Sequence, residues 1–222
     1  MSRMQINPKY KKIIDLLDFS NGKYDIVAVF RDFVIMFAIA IKNKFLYNQE
    51  DENIYLQIIK KYDKSETKVF IKLISELIFL YTDSNEIRDV LGEIFEQIGA
   101  SSKRNEQYFT PSHIAGFMNE IVLSSEELKK EKYITVADCA CGSGVMILNT
   151  ANSLNKKGIN YQEKLIVECQ DIDFICFCMT YIQISLYGIV GRVIFGNTLL
   201  NEKRKIFYTP QYFIGKWYEK LQ

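Results

Sequence analysis

The sequence is poor in residues that bind metal ions. It contains one histidine, His113, and only five cysteines. Cys139 and Cys141 are separated by a single residue, which is tighter than the usual spacing of zinc ligands. The cysteines are odd in number and lie beside apolar residues in the second half of the chain, which indicates reduced thiols in a core rather than disulfides. The sequence therefore predicts no metal centre.

An excess of charge and a long hydrophobic run are also missing. Lys and Arg total 28 against 27 Asp and Glu, so the formal net charge is +1 and any contact with nucleic acid must be local. The longest apolar run, from Val34 to Ile41, is too short to cross a bilayer, and the charged start "MSRMQINPKYKK" does not resemble a cleavable signal. These features predict a cytoplasmic protein without a membrane segment.

The first half of the 222 residues has a helical pattern. From Lys9 to about Gly99, apolar residues recur at spacings of three and four, which predicts a bundle of about five helices. Asp63-Lys64-Ser65 and Asp83-Ser84-Asn85 have the composition of caps or turns between helices. No polar residue recurs at a fixed place on an apolar face. We therefore expect a helical domain over residues 1–104 whose sequence alone predicts no function.

The second half alternates between strands and helices. The stretches "YITVADCA", "KLIVECQDID" and "GRVIFGNTL" are β-branched or apolar runs, and helical stretches separate them. Such alternation predicts an α/β domain over residues 105–222, with a mainly parallel sheet and helices on its faces. Its ligand should bind beyond the carboxyl ends of the strands.

The segment "ADCACGSGVMIL" places Gly142-Ser143-Gly144 between the first strand and a helix. Glycines at such a turn admit a ligand to the backbone, and Asp171, Asp173 and Asn197 follow the next two strands, where they can bind a nucleoside. Ile147 occupies the position where a dinucleotide site needs a third glycine, which disfavours an NAD-dependent oxidoreductase, and the Walker lysine is absent. S-adenosylmethionine is the common cofactor that remains.

The sequence contains three consecutive motifs, "NEQYFTPSHIAGFM", "ADCACGSGVMIL" and "ECQDIDFICFCMTYIQISLYGI". They resemble the motifs of the N6-adenine DNA methyltransferases, particularly the modification subunit of type I restriction-modification systems, and the resemblance extends from about Asn105 to Leu200. The helical half also resembles the N-terminal domain of that subunit. The resemblance implies a shortened Rossmann-like methyltransferase domain that binds S-adenosylmethionine and methylates the N6 amine of adenine in DNA.

The resemblance also implies roles for particular residues. The methionine end of the cofactor would contact the first motif and the glycine turn, Asp171 would bind the ribose, Ile172 would cover the adenine, and Asn197 would meet the adenine amine. The complete implied set is Tyr108, Phe109, Thr110, Pro111, Asp138, Ala140, Gly142, Ser143, Gly144, Asp171, Ile172 and Asn197.

The motif that holds the target base departs from the family pattern. The family uses Asn/Asp-Pro-Pro-Tyr/Phe after the fourth strand, and this sequence offers only Thr209-Pro210-Gln211-Tyr212 as a candidate. Thr209, Pro210 and Tyr212 would be weak substitutes for the base-orienting residues, and a simple turn after a strand explains them equally well. Few residues follow Tyr212. Three alternatives follow. Another modification or specificity subunit, or a second copy, completes the sheet and reads the DNA; the protein is a non-catalytic subunit that binds the cofactor and docks on a complete modification complex; or it is a remnant retained for another role.

Overall fold

The structure, a computed structural model, describes residues 7–20, 22–83, 85–101 and 130–220. The chain divides into two compact units. The first contains the described residues up to 83 together with Val90–Ser101, and the second contains Asn85–Asp89 together with residues 130–220. The predicted boundary between residues 104 and 105 lies outside the described residues and stays a prediction.

The first unit is helical, as the periodicity predicts. A short 3-10 turn, Pro8–Tyr10, precedes the helices α1 (Lys11–Leu17), α2 (Ile26–Phe45), α3 (Gln49–Ile59), α4 (Lys64–Thr82) and α5 (Val90–Ser101). Helix α2 packs against α1, α3 and α5, and α1 also packs against α4. Among the helices of the described ranges, none is both long enough and apolar enough to span a membrane.

The predicted cap at Asp63 is confirmed at the start of α4. The Asp63 carboxylate accepts hydrogen bonds from the backbone amides of Ser65 at 2.7 Å and Glu66 at 2.9 Å. The Glu66 carboxylate in turn accepts from the Asp63 amide at 2.9 Å, which completes a capping box. This arrangement ends the preceding loop and fixes the first residue of α4.

A buried ion pair joins α2 to α3. Lys42 Nζ lies 2.6 Å from Asp51 Oδ2, and the two side chains are only 6% and 4% exposed. Asn48, the residue before α3, accepts a hydrogen bond from the Asp51 amide at 3.0 Å and so places Asp51 in the first turn of that helix. Breaking a pair this deeply buried is costly, because the remaining charge would lose its opposite charge at a site that water hardly reaches.

The second unit contains a four-stranded sheet in the order β1-β2-β3-β4. The strands are β1 (Ile134–Asp138), β2 (Leu165–Asp171), β3 (Val190–Phe195) and β4 (Lys205–Tyr208). The first three are parallel, and β4 is antiparallel to β3. The predicted α/β class with a mainly parallel sheet is therefore confirmed.

Helices connect the parallel strands. Helix α6 (Val145–Lys156) and the short α7 (Tyr161–Lys164) lie between β1 and β2, and α8 (Phe174–Leu186) lies between β2 and β3. Helix α8 packs against β2 and β3, and its residues from Ile175 to Ile184 are all buried. The short helices α9 (Pro210–Ile214) and α10 (Trp217–Lys220) follow β4.

One face and one edge of the sheet are less covered by the described residues. A groove of about 470 Å³ runs along the face formed by Thr135, Ala137, Ile166, Glu168 and Tyr208. Thr135 and Ala137 are exposed there, and β1 pairs with β2 alone within the described ranges. Parallel sheets are usually covered on both faces, so this side of the unit resembles a surface that receives further structure.

The cysteines are free thiols. Four of them are buried in the second unit, whereas Cys139 is exposed at the end of β1. A hydrogen bond with the Cys169 thiol, together with burial, raises the pKa of Cys141. The prediction of reduced core thiols therefore holds for four positions and fails at Cys139.

Candidate functional site

Three loops meet at the carboxyl ends of β1, β2 and β3. The Cys141 amide donates to the Gln170 carbonyl at 3.0 Å, which joins the first loop to the second strand. The Gly196 amide donates to the Asp171 carbonyl at 3.0 Å, and the Thr198 hydroxyl donates to the Cys139 carbonyl at 2.7 Å. Because these contacts link all three loops, the predicted residues at this edge lie close together.

The glycine turn uses conformations that glycine adopts without strain. Gly142 has a φ of 56° and Gly144 a φ of 97°, both in the left-handed region. A Cβ atom on Gly144 would lie 3.2 Å from the Thr180 hydroxyl on α8. Gly144 therefore lacks room for a side chain because helix α8 of the protein itself approaches it closely.

Side chains of helix α8 hold the backbone of the glycine turn. The Thr180 hydroxyl donates to the Gly142 carbonyl at 2.8 Å, and the Gln183 side-chain amide donates to the Ser143 carbonyl at 2.7 Å. Thr180 and Gln183 are three residues apart and share a face of the helix. Both are fully buried, so the turn rests on polar groups that water does not reach.

Ser143 points its side chain into this buried layer. Its hydroxyl donates a short hydrogen bond to Asp89 Oδ2, and the Gln183 amide donates to Asp89 Oδ1 at 2.7 Å. Ser143 is 0% exposed. The Ser143 hydroxyl is thus engaged with the protein, and what the turn presents to a ligand is its backbone.

Asp171 closes the turn from the β2 side. Its carboxylate accepts from the Gly142 amide at 2.8 Å through Oδ2 and from the Asp173 amide at 2.8 Å through Oδ1. Asp171 is half-buried. Each carboxylate oxygen has two acceptor sites, so Asp171 can hold the turn and still accept a hydrogen bond from a ligand hydroxyl.

Asp138 adds a second carboxylate to the same edge. Its Oδ1 accepts from the Ala140 amide at 3.2 Å. Burial, helped by the negative charge of Asp171, raises the pKa of Asp138 despite that hydrogen bond. Two neighbouring carboxylates of which one is partly desolvated favour a cationic ligand, because a positive charge would relieve their repulsion.

The remaining rim residues are more exposed. Ile172 is 58% exposed, and Ala140 is also exposed. The Asn197 side-chain oxygen accepts from the amides of Leu199 at 3.0 Å and Leu200 at 3.3 Å, so it stabilises its own turn. The residues predicted for the first motif, Tyr108, Phe109, Thr110 and Pro111, lie outside the described residues.

The structure does not bring the predicted base-orienting residues to this edge. Because β4 is antiparallel, Thr209 lies beside Gly191 at the start of β3, whereas the glycine turn lies where the parallel strands end. The Thr209 hydroxyl accepts from the Gly191 amide at 3.2 Å and is fully buried. Pro210 begins α9, and the Tyr212 ring packs 4.7 Å from that of Tyr208. Thr209 therefore follows the last residue of β4 and precedes a short helix, and the base-orienting role of these residues stays a prediction.

Sequence reasoning missed the polar groups beneath the turn. Thr180 and Gln183 interrupt the apolar helix "FICFCMTYIQISL" at a spacing of three, and this signal could have found them. Asp89 gave no such signal, since it is 54 residues from Ser143 in the chain.

Asp138 gives a prediction that needs no ligand. Because its pKa is raised in the folded chain, ionisation of Asp138 opposes folding when the pH is above the ordinary value of 3.8. Replacing it by asparagine removes the charge and keeps an oxygen for the Ala140 amide. The variant should therefore resist urea better than the parent at neutral pH, and the gain should disappear as the pH falls below 3.8.

The control for this prediction is Asp173→Asn. Asp173 accepts from the amides of Ile175 at 2.7 Å and Cys176 at 3.1 Å at the start of α8. Asparagine caps helices about as well as aspartate, so this variant should show no gain in urea resistance at neutral pH. Equal gains in both variants would contradict the burial of Asp138 as the cause.

The fold and the acidic edge define a class of protein. A solved structure from Listeria monocytogenes, provisionally assigned to the class I S-adenosylmethionine-dependent methyltransferases, is similar over 88% of this chain and 55% of its own, with 14% identity and a TM-score of 0.51. The methyltransferase subunit of a type I restriction-modification system from Streptococcus thermophilus is similar over 89% and 53%, with 14% identity and a TM-score of 0.44. The chain thus has the class I methyltransferase fold and spans about half the length of these structures.

The family is narrower than the fold. The chain belongs to the N-6 DNA methylase family, whose model matches residues 86–215. The comparison with curated proteins finds no match. The matched range includes the glycine turn, Asp171 and Asn197, so the family resemblance inferred from the motifs is confirmed.

Proposed function

We propose that the chain binds S-adenosylmethionine at the carboxyl edge of its parallel strands and serves in the methylation of adenine N6 in DNA, within a restriction-modification system. The observation that carries this proposal is the pair of carboxylates, Asp138 and Asp171, beside the glycine turn of a chain in the N-6 DNA methylase family. S-adenosylmethionine supplies a methyl group on a positively charged sulfonium. Its amino acid portion carries an ammonium group and a carboxylate, and the ammonium group fits an edge that is lined by carboxylates.

We call the glycine turn Gly142–Gly144, together with Asp138, Asp171 and Ile172, the cradle. Its residues have separate tasks in this proposal. Asp138 would attract the cationic amino acid portion, because its carboxylate is desolvated beside a like charge. Asp171 would accept from the ribose through the acceptor sites that the Gly142 and Asp173 amides leave open. Ile172, whose side chain is more than half exposed, would cover one face of the adenine.

The target base needs groups that the described residues do not place at this edge. Thr209 and Tyr212 lie at the opposite end of the parallel strands, and Thr209 is already bonded to Gly191. We therefore propose that base orientation and DNA reading come from a modification or specificity subunit, or from a second copy of the chain. Within the described residues, β1 pairs with β2 alone and a groove lies beside Thr135 and Ala137, so we propose that the partner adds its structure there.

The position of Thr209 also favours a second candidate function. A subunit that binds the cofactor and docks on a complete modification complex would need the cradle and would not need a base pocket. The two candidates share the cofactor and differ in methyl transfer.

Calorimetry and a transfer assay test the proposal. Titration of the chain with S-adenosylmethionine should show binding, and Asp138→Asn should weaken it. Mass spectrometry of nucleosides should then detect N6-methyladenine in unmethylated DNA after incubation with the chain co-expressed with products of adjacent genes. Binding without transfer, alone and co-expressed, would favour the non-catalytic candidate. An absence of binding would overturn the proposal.

A further inference from the structure

We propose that Asp89 is a positioning residue for the cofactor, acting through the glycine turn without contacting the ligand itself. This inference rests on the proposed function. Asp89 belongs to the segment Asn85–Asp89, which is part of the second unit although helix α5 of the first unit begins at the next residue. Its carboxylate is 6% exposed and accepts from two buried donors, the Ser143 hydroxyl and the Gln183 side-chain amide.

The hydrogen bonds around Ser143 form a closed arrangement. Asp89 binds the Ser143 side chain, Gln183 binds the Ser143 carbonyl at 2.7 Å, and Gln183 and Asp89 bind each other at 2.7 Å. Ser143 is therefore held at its side chain and at its carbonyl. Because the residues on both sides of it are glycines with positive φ, rotation of the Ser143 peptide groups meets little intrinsic resistance, and the buried hydrogen bonds supply the restraint.

The restraint on Ser143 sets the direction of the turn amides. The peptide group before Ser143 carries the Gly142 carbonyl, which Thr180 binds, and the one after it carries the Ser143 carbonyl, which Gln183 binds. The Gly144 amide, opposite the Ser143 carbonyl, donates to the Cys141 carbonyl at 2.8 Å and so closes the turn. The Ser143 amide lies opposite the Gly142 carbonyl that Thr180 binds, so it points away from α8 and towards the ligand edge, since the peptide unit is planar. Asp89 keeps Gln183 and Ser143 in this arrangement without contacting the ligand.

The Asn85–Asp89 segment is itself fixed, which lets Asp89 act as an anchor. The Ile87 amide donates to the Asn152 side chain at 3.3 Å, and the Arg88 amide donates to the Tyr187 hydroxyl at 3.0 Å. The Tyr187 hydroxyl donates back to the Arg88 carbonyl at 3.2 Å. These bonds reach α6 and the end of α8, so the anchor and the turn belong to one framework.

The test compares Asp89→Ala, Asp89→Asn and the parent chain by calorimetry with S-adenosylmethionine. Alanine leaves the Ser143 hydroxyl and a Gln183 N–H without their buried acceptor, so the affinity should fall by about tenfold or more. Asparagine keeps an oxygen that accepts from the Gln183 amide, and its NH2 group can donate to the hydroxyl oxygen of Ser143. We therefore expect about a threefold loss of affinity. Partial rescue by asparagine is not expected of a residue that only fills space.

Tyr161→Phe is the matched control. It removes a hydroxyl that donates to the Tyr187 carbonyl at 3.0 Å, a bond of the same unit outside the Asp89–Ser143–Gln183 arrangement. The variant should lose stability and keep the parent affinity when it is measured well below its unfolding temperature. Hydrogen exchange of the Gly144 amide, which donates to the Cys141 carbonyl at 2.8 Å, should speed up in the cofactor-free Asp89→Ala variant and not in Tyr161→Phe.

Two outcomes separate this inference from the proposed function. If the parent chain binds no S-adenosylmethionine, the proposed function fails and the exchange measurement alone decides the role of Asp89. If the parent binds but Asp89→Asn and Ser143→Ala both bind as tightly as the parent, the inference is overturned. Ser143→Ala is the smaller change and serves if Asp89→Ala does not fold.

Discussion

Replacement of Asp171 by alanine should reduce the affinity for S-adenosylmethionine by about 100-fold or more. The change removes the acceptor for two backbone amides, those of Gly142 and Asp173, and the proposed acceptor for the ribose. Hydrogen bonds to a charged group contribute about 1.5–3 kcal/mol each. Loss of one to the ligand, together with a loosened turn, accounts for about 2.7 kcal/mol, or 100-fold.

Asparagine should not rescue this site. Two N–H donors converge on the Asp171 carboxylate, one on each oxygen, and an asparagine amide would turn a third donor towards one of them. Asp171→Asn should therefore bind the cofactor almost as poorly as the alanine variant, in contrast to Asp89→Asn. Calorimetry on both variants measures this difference.

Asp173→Asn provides the control for charge at the same edge. It removes one negative charge two residues from Asp171 while keeping the cap of α8. Its affinity should stay within about threefold of the parent, because the Asp173 carboxylate is engaged by the amides of Ile175 and Cys176 and its charge is screened by solvent. A loss comparable to that of Asp171→Ala would mean that overall negative charge, rather than the geometry of Asp171, governs binding.

Removal of Lys42 should destabilise the helical unit by about 3–5 kcal/mol. Lys42→Ala removes the ammonium group that pairs with Asp51, whose side chain is only 4% exposed. The double variant Lys42→Met with Asp51→Leu should recover much of the loss, because it removes both charges and fills the volume with apolar atoms. Urea unfolding followed by circular dichroism measures the free energies.

Lys61→Ala is the comparison for this pair. Lys61 lies 3.1 Å from Asp32 in the same unit, but its side chain is 54% exposed. Exposed ion pairs contribute about 0–1 kcal/mol, so this variant should unfold close to the parent midpoint. Similar losses for Lys42→Ala and Lys61→Ala would show that burial does not determine the energetics of the Lys42–Asp51 pair.

The position of the Thr209–Tyr212 segment depends on the direction of the strand before it. "FYTPQYF" follows a strand, as the family motif does, and keeps a proline and an aromatic residue. The role of such a motif depends on whether the strand is parallel and which edge it joins. Here β4 pairs antiparallel with β3, so the residues after it lie where the parallel strands begin.

The type and order of the helices and strands could be predicted from local patterns in the sequence. Apolar spacings of three and four gave the helical half, and alternating strands and helices gave the parallel sheet. Since the carboxyl ends of parallel strands share an edge, the sequence also placed Asp138, Gly142 and Asp171 together. These inferences need only the order of elements along the chain.

The residues that support the glycine turn, and those that lie away from it, depend on the tertiary structure. Asp89 meets Ser143 across 54 residues, and Thr209 pairs with Gly191 across 18, through contacts that no local periodicity records. The Ser143 hydroxyl is buried because it donates to the Asp89 carboxylate, which a distant segment of the chain supplies. The physical reason is that a buried polar group is destabilising unless it is hydrogen-bonded, and tertiary packing can supply its partner from a distant part of the chain.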